Sequence, residues 1–148
     1  VVEKTLRCSP VNMVQYWQSS TIGVIQSGSI GAQGHVANGL TALFIATGQD
    51  VACVSEAAVG ITRMELTPEG GVYVSVTLPN LIVGTVGGGT GLATQKECLE
   101  MMDCYGDGKV QKFAEICGAV ALAGEISIAA AIASGQFAGA HQKFGRKH

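Results

Sequence analysis

Three acids stand alone in this chain. Asp50, Glu56 and Glu125 each lie in an apolar neighbourhood where an unpaired charge is costly, so each is either paired for structure or used for chemistry. His35 and His141, far apart and each within a weakly polar stretch, read either as proton carriers or as satisfied structural side chains. The segment Gly84-Thr-Val-Gly-Gly-Gly-Thr-Gly-Leu92 is the most unusual. Its three adjacent glycines allow backbone conformations closed to other residues and let a ligand approach the main chain. It matches neither G-x-G-x-x-G nor the Lys-Ser/Thr of a P-loop, so contact with a nucleotide competes with a tight strand-to-helix connection. With no Asp/Glu/Cys cluster at ligand spacing, a metal is not expected. A Ser-His-Asp triad lacks its G-x-S-x-G elbow.

The background explains why so few charges stand out. Of 148 residues, 47% are apolar and 14% charged, and 21 are glycine; soluble chains carry about 25% charged residues. Such a composition argues against disorder, and a net charge of -2 gives no electrostatic footprint for nucleic acid. No Asp, Glu, Lys or Arg occurs from Cys8 to Gln49 or from Gly70 to Gln95. Polar residues and glycines interrupt both stretches, so neither reads as a membrane span, and both read as interior or interface. Part of the surface is therefore expected to be covered by another subunit or domain. The chain enters at Val1 without methionine or a signal pattern and reads as the remainder of a longer one. Its five scattered cysteines, without C-x2-C spacing, read as the reduced thiols of a cytoplasmic protein.

These residues must be positioned by recognisable elements. Val1 to Leu6 reads as a strand. Ser9 and Pro10 are an N-cap and first helical residue, predicting a helix to about Gln18. Thr21 to Gly34 reads as irregular backbone or a glycine-interrupted strand. From His35 the helical spacing of Val36, Leu40, Leu43, Phe44 and Thr47 ends at Gly48, which puts Asp50 just past the stop, and a second short helix carries Glu56. Ile61 to Leu66 and Val72 to Leu78 form a hairpin around Thr67 to Gly71. Thr94 and Glu97 read as a capping box opening a helix to about Cys104. A loop at Gly106 to Gly108 leads into a long helix from about Lys109, with Phe113, Cys117, Val120, Gly124, Ile128 and Ala131 on one face. Gly135 breaks it before a last helix bearing His141. Partial segregation of helices and strands predicts an α+β fold, a long Ala/Gly-rich helix packed with a small antiparallel sheet.

Four segments, His35-Val-Ala-Asn38, Ala46-Thr-Gly-Gln-Asp50, Gly84-Thr-Val-Gly-Gly-Gly-Thr90 and Leu122-Ala-Gly-Glu-Ile-Ser-Ile128 followed by His141, resemble in order and spacing the 3-hydroxy-3-methylglutaryl-coenzyme A (HMG-CoA) reductases, class I-like in the glycine-rich part. The resemblance spans nearly the whole chain. It implies that residues 1 to 148 are the C-terminal portion of the large, substrate-binding domain, with the small cofactor-binding domain absent from this chain. It also implies reduction of HMG-CoA to mevalonate and coenzyme A by two NADPH, with NADH left open, in a homodimer or homotetramer. The expected location is cytoplasmic, or the cytosolic face of a membrane given an upstream anchor.

By the same resemblance Asp50 and His141 are the catalytic aspartate and histidine. His35 and Asn38 contact coenzyme A and substrate, Ile128 is a substrate-facing apolar residue, and Arg146 is a basic contact near the bound cofactors. Val86, Gly87 and Gly88 lie in the loop approaching the nicotinamide. The chemistry suits these types. An imidazolium is a matched acid for a departing thiolate, and an aspartate beside a lysine and a glutamic acid holds the one charged and raises the pKa of the other. The family's glutamate, catalytic lysine and Asp-Ala-Met-Gly-Met-Asn motifs lie upstream of this chain. A further lysine corresponds to about Ser19, the regulatory serine is replaced by Lys147, and Gly28 to Gly31 stands one residue too close to His35. Ser19 best supports an alternative, a catalytically lost paralogue acting as a binding or oligomerisation subunit. An unrelated nucleotide-binding module is the third reading.

Overall fold

The computed structural model describes residues 1 to 145. The expected strand at Val1 to Leu6 is instead a pair of turns. The Thr5 and Leu6 amides close back on the Val1 carbonyl at 2.8 and 3.3 Å, so these backbone groups are satisfied locally and need no strand partner.

Helix α1 (Pro10–Ser27) starts as its sequence dictates, with the Asn12 amide donating to the Ser9 hydroxyl at 3.1 Å and Pro10 in the first turn. It continues to Ser27, through residues expected to be irregular. Ser20 and Thr21 donate their hydroxyls to the Trp17 carbonyl at 3.1 and 2.8 Å, which removes them as competitors for the backbone. Gly28, at φ +74°, supplies the left-handed stop. Helix α2 (Val36–Thr47) ends at Gly48, φ +70°, and is followed by a single turn of 3-10 helix at Val51–Cys53 and the short α3 (Val54–Ala57).

Strands β1 (Ile61–Leu66) and β2 (Val72–Thr77) pair antiparallel, Ile61 opposite Thr77 and Leu66 opposite Val72. Thr67 closes the hairpin by donating its amide to Gly71 O at 2.9 Å and accepting at its hydroxyl oxygen from the Gly71 amide at 3.1 Å. A 3-10 turn at Gly88–Gly91 precedes α4 (Ala93–Met101). The anticipated capping box does not form among the described residues. The helix begins one residue before Thr94, and Leu92 occupies the cap with its carbonyl accepting from the Lys96 amide at 2.8 Å. Helix α5 (Val110–Ala133), the short α6 (Gln136–Ala140) and a wide final turn, His141–Gly145, complete the α+β arrangement.

Helix α5 organises both cores. Phe113, Cys117 and Ala121 on its first half meet Val36, Leu40, Phe44 and Leu99, while Ala129 and Ala130 on its second half meet Met13, Val14 and Met64. Val120, Ile128 and Ala131 of the expected face are half-buried. By length and composition α5 is apolar enough to cross a membrane. Here it packs against α1, α2 and β2. Ile22, Ile25 and Ile30, on and after α1, are exposed.

Candidate functional site

The two ends of α2 carry separate parts of the site. At its start, His35 is held by Glu125. The Glu125 carboxylate accepts from the amides of His35 and Val36 at 2.6 and 3.2 Å and from the Thr62 hydroxyl at 3.2 Å. Glu125 is 4% exposed, so this buried acid of α5 serves as the N-terminal cap that α2's own sequence lacks, with its charge at the positive end of the helix dipole. That charge also faces Tyr16, whose phenol is pushed up by burial and then by Glu125.

The His35 ring lies in a slot between two glycines. A Cβ at Gly39 would stand 3.0 Å from its Cε1, and one at Gly124 would overlap the ring. His35 Nδ1 is buried with no hydrogen-bond partner among the described residues. Ile128, one turn beyond Gly124, packs against Gly34, its Cγ2 at 3.0 Å from where a Cβ would sit. Asn38 is exposed on the first turn of α2. His35, Asn38 and Ile128 thus gather at one end of the helix.

The other end delivers Asp50. Its Oδ1 accepts from the Ala52 amide at 2.9 Å, capping the 3-10 turn, and the rest of the carboxylate faces solvent. Cys53, between Asp50 and Glu56, has its thiol pushed up by burial and then by these two charges. Glu56 itself is exposed.

The glycine-rich loop is bolted to the same corner. A Cβ at Gly89 would lie 2.8 Å from Gly48 O, and one at Gly48 would overlap the Gly89 carbonyl, so two bare backbones touch here. Thr85 pins the loop's start to Gly106 by a hydroxyl-to-carbonyl bond of 2.8 Å and an amide-to-carbonyl bond of 3.0 Å. Gly87 and Gly88, at φ +77° and +54°, have no atom within 4 Å of where a Cβ would be, and Val86 is 65% exposed. Three predicted cofactor contacts thus form an open tip on an anchored base, and the bare backbone fits a ligand lying flat on it.

His141 stands apart. It begins the final turn, with Nδ1 3.0 Å from the Phe137 carbonyl and its ring 4.2 Å from that of Phe137. Among the described residues no hydrogen bond or ring contact joins it to Asp50 or to the loop. Arg146 lies outside the described residues. The contact that sequence reasoning missed is Gln49, whose carboxamide reaches Gly84. Nothing in the local pattern distinguishes it from a surface glutamine.

The α+β fold thus carries an imidazole patch at one end of α2, and an acid and a bare-backbone loop that share a corner at its other end. The chain belongs to the hydroxymethylglutaryl-coenzyme A reductase family, whose sequence model matches residues 1–146. It is 54% identical over 125 residues to the 3-hydroxy-3-methylglutaryl-coenzyme A reductase of Methanocaldococcus jannaschii, covering 84% of this chain and 31% of that protein. It is 46% identical to that of Pyrococcus horikoshii, covering 99% of this chain and 37% of the relative. With 3-hydroxy-3-methylglutaryl-coenzyme A reductase 1 of Arabidopsis thaliana it shares 38% identity, over 99% of this chain and 26% of the relative. The chain spans about a third of the length of the archaeal relatives it matches.

Proposed function

We propose that this chain is the C-terminal part of the substrate-binding domain of a reductase that converts HMG-CoA to mevalonate and coenzyme A, with NADPH as the reductant and NADH left open. The observation carrying this reading is that Asp50 and the loop tip Val86 to Gly88, distant in sequence, share one corner through the backbone contact of Gly48 with Gly89. Asp50 would hold a neighbouring cation charged, and Gly87 and Gly88 would leave their backbone open to the nicotinamide, which supplies the hydride when bound. His35, Asn38 and Ile128 would bind the thioester, and Arg146 would serve the bound cofactors. His141 would protonate the departing thiolate at sulfur.

Helix α2, with 12 residues, separates the two patches by about 18 Å. One compact reacting group cannot touch both ends within a single chain. That separation, together with the exposed Ile22, Ile25 and Ile30, supports completion by the rest of the reductase and by a second subunit. On this reading α5 is an internal packing helix and the small cofactor-binding domain lies outside residues 1 to 148. A cytoplasmic or cytosol-facing location belongs to the same reading, supported by five free cysteines.

The test is substitution in a complete reductase carrying this sequence. Asp50→Asn should lose at least about 100-fold in turnover, on the scale of a lost preorganised charge. His141→Gln should be crippled with the thioester and retain activity with free mevaldehyde, which has no thiolate to expel. Near-normal turnover by Asp50→Asn overturns the assignment of Asp50, whereas absence of turnover in the parent enzyme favours the binding-subunit alternative.

A further inference from the structure

Gln49 lies between the left-handed stop of α2 and Asp50, and its side chain leaves its own segment to pair with the glycine-rich one. Gln49 Nε2 donates to Gly84 O at 2.9 Å, and the Gly84 amide donates to Gln49 Oε1 at 2.7 Å. The same Nε2 lies 3.1 Å from Thr47 O, and the Gln49 amide donates to Phe44 O at 2.9 Å. A carboxamide is the one side-chain group of this length that both donates to and accepts from a single residue's backbone, copying a peptide unit. A carboxylate lacks the donor, and an aliphatic side chain would leave the Gly84 amide and carbonyl without these partners.

Beside this clamp, the Gly48 to Gly89 contact holds the far side of the loop and the Thr85 to Gly106 pair holds its start. These three anchors surround the open tip, and two of them come from the dipeptide immediately preceding Asp50. Any rotation of the 48 to 50 backbone therefore carries the acid and the loop base together.

We propose that Gln49 is a positioning residue whose carboxamide keeps the glycine-rich loop in register with Asp50, an inference resting on the reading of the loop and acid given above. It acts through Gly84 and touches no reacting atom. Removing the clamp frees the loop base while leaving Asp50 and the His35 patch their own contacts. The effect should therefore fall on the nicotinamide side of the reaction. Misplacement of a reacting partner by about 1 Å can cost up to about 100-fold in rate.

The experiment compares Gln49→Leu and Gln49→Glu with the parent in a complete reductase carrying this sequence. KM for NADPH, KM for HMG-CoA and kcat are measured, along with hydrogen exchange at the Gly84 amide. Both variants should show a raised NADPH KM and a kcat reduced about 10- to 100-fold, with the HMG-CoA KM within about twofold of the parent. Exchange at Gly84 should be faster in Gln49→Leu than in Gln49→Glu, which keeps the acceptor. If Gln49→Leu does not fold, Gln49→Glu decides. Equal rises in both KM values mark a general structural role and overturn the proposal, as do unchanged kinetics. Asp50→Asn in the same enzyme separates the two failures. If that variant is inactive while Gln49→Glu is unimpaired, the positioning role alone falls. If Asp50→Asn turns over normally, the underlying reading falls with it.

Discussion

Two glycines of this chain have nearly the same backbone angle and opposite surroundings, which allows the cost of a close approach to be isolated. Gly28 and Gly48, at φ +74° and +70°, both end helices, but nothing lies within 4 Å of a Cβ at Gly28. At Gly48 a Cβ would overlap the Gly89 carbonyl and lie 2.9 Å from Thr90 N. An alanine in the left-handed region costs about 1 to 2 kcal/mol, offset by about 0.4 to 1 kcal/mol from the stiffer unfolded chain, which leaves Gly28→Ala about 0.5 to 1 kcal/mol destabilised. Gly48→Ala carries the same strain plus about 1 to 3 kcal/mol of overpacking against backbone that has no rotamer to yield. The difference between the variants should thus be about 1 to 3 kcal/mol, or about 0.5 to 1.5 M in urea midpoint at a slope near 2 kcal/mol/M. The assay is equilibrium urea unfolding followed at the single tryptophan, Trp17, whose indole donates to Thr62 O at 2.6 Å in the native fold. In a complete reductase, Gly48→Ala should also lose turnover while Gly28→Ala keeps it. Equal midpoint shifts would show that the Gly48 to Gly89 approach carries no energy, and the account of how Asp50 meets the loop would fail.

Glu125→Ala strips the acceptor from two amides and a hydroxyl and should cost about 3 to 5 kcal/mol, whereas Glu125→Gln, keeping one acceptor, should cost about 1 to 2 kcal/mol. Both are read by the same urea unfolding, and an unaffected Glu125→Ala would refute the cap. At the α4 to α5 junction, Lys109 and then Lys112 hold the exposed Asp103 carboxyl below the ordinary carboxylate range. Because the folded value is the lower one, its stabilisation is complete above about pH 4 and fades as pH falls through that lowered value. Asp103→Asn, which suits the left-handed backbone at φ +53°, should remove this acid dependence, and an unperturbed titration by carbon NMR would contradict it. Burial pushes the Cys117 thiol up to about 12, so alkylation of the native protein at pH 8 should spare Cys117 and modify the half-buried Cys98 first. Mass spectrometry of the labelled peptides checks the order.

Much of the frame was legible because its signals are local. Ser9-Pro10, Gly48 and the Thr67 to Gly71 turn act within a few residues of themselves, and each does in the structure what its type requires. Asp50 was placed correctly for that reason. The extent of α1 was not legible, since the bonds of Ser20 and Thr21 back to Trp17 neutralise residues that composition counts as breakers. Thr94 misled because a cap sequence competes with its neighbours, and here Leu92 starts the helix. The site's supports were hidden for a different reason. Glu125 binding His35 and Gln49 binding Gly84 join positions 90 and 35 residues apart, beyond any periodicity, so Glu125 could be singled out as a lone acid but not assigned its partner.

The Glu125 cap also bears on how the chain is made. Helix α2 leaves the ribosome about 90 residues before the carboxylate that satisfies its first amides. At about 5 to 20 residues per second, that interval is roughly 5 to 18 seconds, while a helix forms in under a microsecond. During that wait Val36, Leu40 and Phe44, fully buried in the finished protein, have neither their cap nor the α5 surface they pack on. The apolar side of α2 therefore stays uncovered in the nascent chain until synthesis of α5 ends that exposure.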